Sequence, residues 1–375
     1  MKRIKSIDTF RGLCMIWLVS AHIIPQWLIY NQNIAQLYSI IWNIIDSIGA
    51  CAFLFLSGIS SYISYKKRAQ RAIDGGYTMK RSRNEYYFRA LIIFIMGFIV
   101  NIGIAIVTQK WWWAIAWDFL ISISVCLFLA WPLFKTSRSI RIMIAILLWI
   151  INEIILFFIG TYTGEEPPLL FRLLYTDQSL DSPLWFFTFF LIGTVFGELL
   201  FKALNIEDNG ERKKYLKCNL LVPSFIISII LITTGIILEF PIDLTSPYVW
   251  ASIRSFPWRI HAIGIDMLLI SILIFLEEYE ILKFKKNYRF LFYFSYYSFT
   301  VYGTHYILTV IFIERFNADI FFWMTLFITL LLYGLLLNIS YKKLGPKISI
   351  KAQISRMSVV LANIIEERKN NKKRL

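Results

Sequence analysis

The chain contains three histidines, and two of them, His22 and His305, stand inside long apolar stretches. A titratable side chain at membrane depth costs free energy that packing alone does not ask for, so each is a candidate for function. His22 follows Arg11 by eleven residues. If residues 8–30 are helical, about 100° per residue puts both on one face, roughly 16 Å apart along the axis, with Asp8 about 40° away. An imidazole with carboxylate neighbours suits removal of a proton from a hydroxyl or an amine. The same imidazole could instead carry the transferred group covalently.

Other charged residues are scattered through apolar stretches: Asp46, Asp118, Glu153, Glu198 and Asp266. Glu153 and Glu198 are expected to pair with arginines and hold helices together. His305 has both a packing reading and a functional one. His261, just after Trp258 and Arg259, is a candidate for an acceptor site. No glycine loop for a nucleotide, no metal-ligand spacing and no Gly-x-Ser-x-Gly elbow occurs. Cys14, Cys51, Cys126 and Cys218 are widely spaced in or beside apolar stretches and read as small buried hydrophobes, without disulfide or zinc patterning.

The elements that must position these residues are membrane spans. Of 375 residues, 58% are apolar and 17% charged. Ordinary soluble domains have about 45–50% and about 25%. The expected fold is an all-α, polytopic membrane helical bundle. Ten spans of near the ~20 residues that a ~30 Å hydrocarbon core requires are read over 12–30, 44–65, 88–108, 112–134, 139–160, 184–203, 218–238, 259–277, 290–313 and 318–341. The first reads as a span rather than a cleavable signal.

Charge in the connections supports this division. The N-terminus (Lys2, Arg3, Lys5), 66–87, 135–138, 204–217, 278–289 and the tail are basic. The alternate connections carry at most one Lys or Arg each (Lys110, Arg172, Arg254, Arg315), and 31–43 carries none. That alternation predicts both termini in the cytoplasm. The net charge of +15 is therefore topological and does not indicate nucleic acid. The basic stretch 66–87 is also a candidate partner for phosphates. Residues 1–341 read as one transmembrane domain. Residues 342–375 read as a basic cytoplasmic tail, amphipathic or disordered, that touches anionic lipid. Trp27, Trp42, Trp111, Trp112, Trp113, Trp185, Trp250 and Trp258 fall at the expected outer boundary, as in an interfacial belt. The Pro-bearing loops 161–183 and 239–258 read as lids, and Pro25 is expected to kink the first helix just past His22.

With the spans oriented, the sequence becomes comparable to known ones. SIDTFRGL at 6–13 resembles the opening Ser-(hydrophobic)-Asp-x-x-Arg-Gly signature of membrane acetyltransferases related to heparan-α-glucosaminide N-acetyltransferase. Asp46 with FLFLSGIS at 53–60, Arg89 leading to Asn101, and SFTVYGTHYIL at 298–308 continue the likeness. The Arg11-x10-His22 spacing also resembles the signature of the acyltransferase-3 family of membrane O-acyltransferases. One departure stands out. The lysosomal-type enzymes carry a catalytic histidine in the outer loop before the second helix, whereas 31–43 here has Gln36 and Trp42 but no histidine.

The resemblance implies a multi-pass cell-membrane acyltransferase with an acyl-CoA donor, acetyl-CoA foremost, and no metal. Lys66, Lys67, Arg68, Arg83 and Arg89 would hold the donor's phosphates. His22 would be general base, with Asp8 or Asp46 setting its tautomer or the cavity's field and Arg11 lying along the thioester's path. An extracytoplasmic sugar or glycan would be the acceptor, with His305, Asp118 and His261 lining its site. The enzyme would sit among membrane lipids, as a homodimer by the same likeness. The rival reading is a secondary transporter or exporter of a sugar or lipid-linked substrate. Against it, no repeat and no paired Gly/Pro-interrupted helices occur. A non-catalytic scaffold would leave the mid-depth polar residues unexplained.

Overall fold

The computed structural model describes residues 4–29, 45–75, 78–160, 182–239, 256–281, 289–309, 316–317 and 320–372. The described residues form helices: α1 (Lys5–Trp27), α2 (Ala50–Ile73), α3 (Met79–Thr108), α4 (Phe119–Leu133), α5 (Arg138–Gly160), α6 (Pro183–Leu204), α7 (Asn209–Leu216), α8 (Val222–Glu239), α9 (Phe256–Glu278), α10 (Arg289–Tyr296), α11 (Ser298–Thr309), α12 (Ile320–Lys343) and α13 (Ile350–Lys372). A membrane-spanning chain must satisfy its backbone within each span, which is why the apolar stretches are helical. Nine described helical stretches are long and apolar enough to cross a membrane, so this is a multi-pass membrane protein.

The tenth expected span, 290–313, differs. Its described part is the pair α10 and α11, interrupted at Tyr297. Helical bonding is carried across the interruption: Tyr297 N–H donates to Tyr293 and its carbonyl accepts from Val301. The Tyr297 hydroxyl meanwhile donates to the Gly345 carbonyl at 2.7 Å. The expected tail contains a helix of 23 residues, α13. The expected lids, apart from their edges, lie outside the described residues, as do Trp42 and Trp250.

The chain divides into two compact units, Met1–Phe53 with Ala203–Gln353 and Leu54–Lys202 with Ile354–Leu375. In the first unit α1 packs against α10, α11 and α9, and α8 lies along α9. The first turn of α1 leaves orphan backbone donors. Glu277, in the last turn of α9, accepts from Lys5 N–H at 3.0 Å and Ser6 N–H at 2.7 Å. A carboxylate there also complements the helix dipole. At the other end of α1, Phe316 N–H donates to Trp27 O and Ile29 N–H to Phe316 O, at 2.6 and 2.7 Å.

In the second unit α2 and α6 cross at glycines. A Cβ on Gly58 would strike the Phe190 carbonyl, and one on Gly193 the Phe55 carbonyl. Small residues at membrane-helix crossings permit this closeness. Trp27, Trp185 and Trp258 are fully buried in the protein, whereas Trp111 is exposed. The first three therefore serve packing rather than the expected interfacial belt.

Candidate active site

Asp8, Arg11 and His22 all belong to α1. The Asp8 carboxylate stands 3.9 Å from the Arg11 guanidinium, and both residues are buried. Ser295 at the end of α10 donates to Asp8 Oδ1 at 3.3 Å. Charge-assisted contacts of this kind keep two buried charges from standing alone. Fourteen residues of continuous helix separate Asp8 from His22. That is about 21 Å along the axis, so Asp8 cannot set the tautomer of His22 and acts on Arg11 instead.

His22 is exposed and has a neighbour that pattern alone did not pair with it. His305, on α11 and fully buried, brings its ring centroid to 4.7 Å from that of His22 at an interplanar angle of 61°. Tyr306 flanks both rings, at 5.6 Å from His22 and 4.1 Å from His305. His305 Nδ1 lies 2.5 Å from the Tyr302 carbonyl. A carbonyl only accepts, so this nitrogen carries the proton in the neutral ring and Nε2 keeps a lone pair. Nε2 is buried and has no hydrogen-bond partner among the described residues.

Asp46 opens the short 3-10 turn Asp46–Ile48 and accepts from the Trp17 indole at 3.3 Å. Trp17 is five residues before His22, about 140° round the helix. Asp266 of α9 is fully buried, and neither carboxylate oxygen has a hydrogen-bond partner among the described residues. It lies within electrostatic reach of Cys14 on α1. His261 is buried on the same helix, with Gly235 of α8 lying against its Cβ.

The phosphate candidates are on α2 and α3 in the second unit. Lys66 Nζ sits 5.7 Å over the Tyr62 ring and 6.0 Å over Tyr65. Arg68 donates to buried Glu85 at 2.9 Å, and Arg81 reaches the same carboxylate at 3.4 Å. Arg68 thus ties α2 to α3. Lys67 and Arg89 are half-buried and Arg83 is exposed. Asp118 caps α4, accepting from Leu120 N–H at 3.4 Å. Glu198 of α6 takes the packing role expected of it. It pairs with fully buried Arg141 of α5, with Arg138 at 3.5 Å and with Lys202 at 2.9 Å. Arg141 also donates to Thr194 at 3.0 Å and stacks 4.6 Å over the Tyr62 ring. Glu153 accepts from its neighbour Asn152 at 3.1 Å.

The family described as heparan-alpha-glucosaminide N-acetyltransferase, catalytic, matches residues 3–222. The chain belongs to this family of membrane acetyltransferases. No curated protein and no solved structure matches it. The matched region of this heparan-alpha-glucosaminide N-acetyltransferase relative takes in α1, the α2–α3 basic turn and the Arg141–Glu198 pair, and stops at the start of α8. The helix of His305 lies outside it. Sequence reasoning also missed Ser295 and Glu277 as partners of α1, and Trp17 of α1 as the partner of Asp46. Ser and Trp in apolar helices carry no signal of a partner 29 or 287 residues away. A carboxylate at the end of α9 was the one visible hint, since helix N-termini attract them.

Proposed function

We propose that the protein moves an acyl group, acetyl foremost, from cytoplasmic acyl-CoA to a hydroxyl or amine of an extracytoplasmic sugar, glycan or lipid-linked sugar, in the cell membrane. The observation that carries this is the family match over residues 3–222, which includes both the histidine-bearing helix and the basic turn. In this reading His22 takes the acceptor's proton as its oxygen or nitrogen attacks the thioester carbonyl. The carbonyl carbon gains the new bond, the sulfur leaves as the CoA thiolate, and the proton held on His22 returns to it. Arg11, paired with Asp8, which also accepts from Ser295, supplies fixed positive charge near the N-terminal end of the same helix. Lys66, Lys67, Arg83 and Arg89 are proposed for the donor's phosphates. His261, Asp118 and His305 remain proposals for the acceptor side, and Asp46 for the catalytic group around His22.

The test is binding of CoA and acetyl-CoA to the detergent-purified protein, read as a thermal shift. A ligand that binds only the folded state adds about 2.7 kcal/mol at a hundredfold excess over its Kd. A shift with both ligands is expected. A well-folded sample that shifts with neither overturns the donor and favours the transporter reading.

A further inference from the structure

His305 sits outside the matched region of the family, yet it is the residue the fold places against His22. The Tyr302 carbonyl three residues earlier accepts from His305 Nδ1 at 2.5 Å. This bond is local to α11, so the tautomer is set by the helix itself and needs no carboxylate. Nε2 is left as a buried lone pair with no hydrogen-bond partner among the described residues. A buried acceptor left unmet costs free energy. Three rings stand against it among the described residues, those of Tyr302, Tyr306 and His22, and of these His22 carries the ring nitrogens. The two ring centroids are 4.7 Å apart at 61°, and the terminal torsion of a histidine is soft.

We propose that His305 is a positioning residue for His22: its Nε2 accepts a hydrogen bond from one ring nitrogen of His22, which fixes the other His22 nitrogen as the lone pair facing the acyl acceptor. The relay reads Tyr302 carbonyl, His305 imidazole, His22 imidazole, acceptor. When the acceptor's hydroxyl or amine gives up its proton, that proton goes to the outward nitrogen of His22. The resulting cation is stabilised through its other N–H by His305. His305 itself gains and loses no proton. The role the resemblance assigned to Asp8 or Asp46 is thereby filled by a second imidazole. Asp8 is out of reach along α1, and Asp46 accepts from Trp17. Tyr306, against both rings, keeps the pair in contact. This rests on the acyl-transfer reading only for its catalytic consequence; the hydrogen bond stands or falls by itself.

The chain has only three histidines, so 15N-imidazole NMR of the full-length protein in detergent can resolve each ring. In the wild type His305 should show a protonated Nδ1 and a lone-pair Nε2 shifted by a hydrogen bond, with His22 held in one tautomer. His305→Phe should release His22 into a mixture of tautomers and lower kcat by at least about tenfold with donor KM unchanged. His305→Gln, whose side-chain oxygen can stand where Nε2 does, should restore both in part. A wild-type spectrum with the proton on Nε2 of His305, or an unchanged His22 spectrum in His305→Phe, overturns the proposal. The wild-type spectrum decides even if the variants fail to fold. If acyl transfer itself is absent, the tautomer measurement still stands, so the two failures are distinct.

Discussion

Gly12 lies directly against the backbone of Leu291: a Cβ placed there would run into the Leu291 carbonyl. The Arg-Gly step of the opening signature therefore does two things. Arg11 turns its guanidinium to Asp8, and Gly12 lets α10 come close enough for Ser295 to reach the same carboxylate. Gly12→Ala is expected to push α1 and α10 apart. Overpacking of this kind costs about 1–3 kcal/mol. The thermal midpoint in detergent should fall, and a midpoint equal to the wild type's would show that this contact gives easily.

His22→Ala should abolish acyl transfer and leave the fold intact, because the side chain is exposed. Loss of a general base costs about 10²–10⁴-fold in rate. Full turnover in a variant with an unchanged melting curve would rule out the general-base role.

Lys66 and Lys67 are expected to separate from Arg68 on substitution. Changing both lysines to Gln should weaken CoA binding with little change in stability. Arg68→Gln should instead lower stability by about 1–3 kcal/mol, because buried Glu85 loses a charge-assisted partner. Calorimetric CoA titration beside thermal melts distinguishes the two. Equal effects on both readouts would contradict the division of roles.

Glu198→Ala should be among the most destabilising single changes in the second unit. It removes the carboxylate from fully buried Arg141 and from Arg138 and Lys202. Breaking a buried pair by taking one partner costs about 3–5 kcal/mol. Replacing Arg141 as well, with Met, should recover part of the loss in the same melting assay. A double variant no more stable than Glu198→Ala would show that the arginine tolerates its lost partner.

Asp266 poses the opposite case. Its carboxylate oxygens are buried with no hydrogen-bond partner among the described residues, an arrangement that costs stability. Asp266→Asn is expected to raise the thermal midpoint, because it removes the ionisable group from a buried site without an ion-pair partner among the described residues. A variant less stable than the wild type would show that the carboxyl is held by something structural.

Much was legible in the sequence because membrane spans obey local rules. Apolar length, basic loops and helical spacing located nine of the long helices and put Asp8, Arg11 and His22 on one element. The opening signature carried the family, since its residues are contiguous. Glu198 was recognisable as a packing carboxylate because an unpaired charge in an apolar helix demands a cation. The helical propensity that made 290–313 read as one span could not reveal the interruption at Tyr297, whose hydroxyl is anchored on Gly345 far along the chain. The resemblance likewise offered Asp8 to set the tautomer of His22, although one continuous helix holds them about 21 Å apart.

The pairing of His22 with His305 was decided by tertiary structure alone. Their 283-residue separation leaves no periodicity to read, and the contact exists because α11 packs against α1. The sequence determined which residues lie within helices and which helical face each occupies, because 3.6 residues per turn is a local property of the backbone. Only packing of one helix on another determined which faces meet. It therefore also determined that Asp8, already one helical turn from Arg11, meets Ser295, that Arg68 answers to Glu85, and that a buried imidazole stands behind the exposed one.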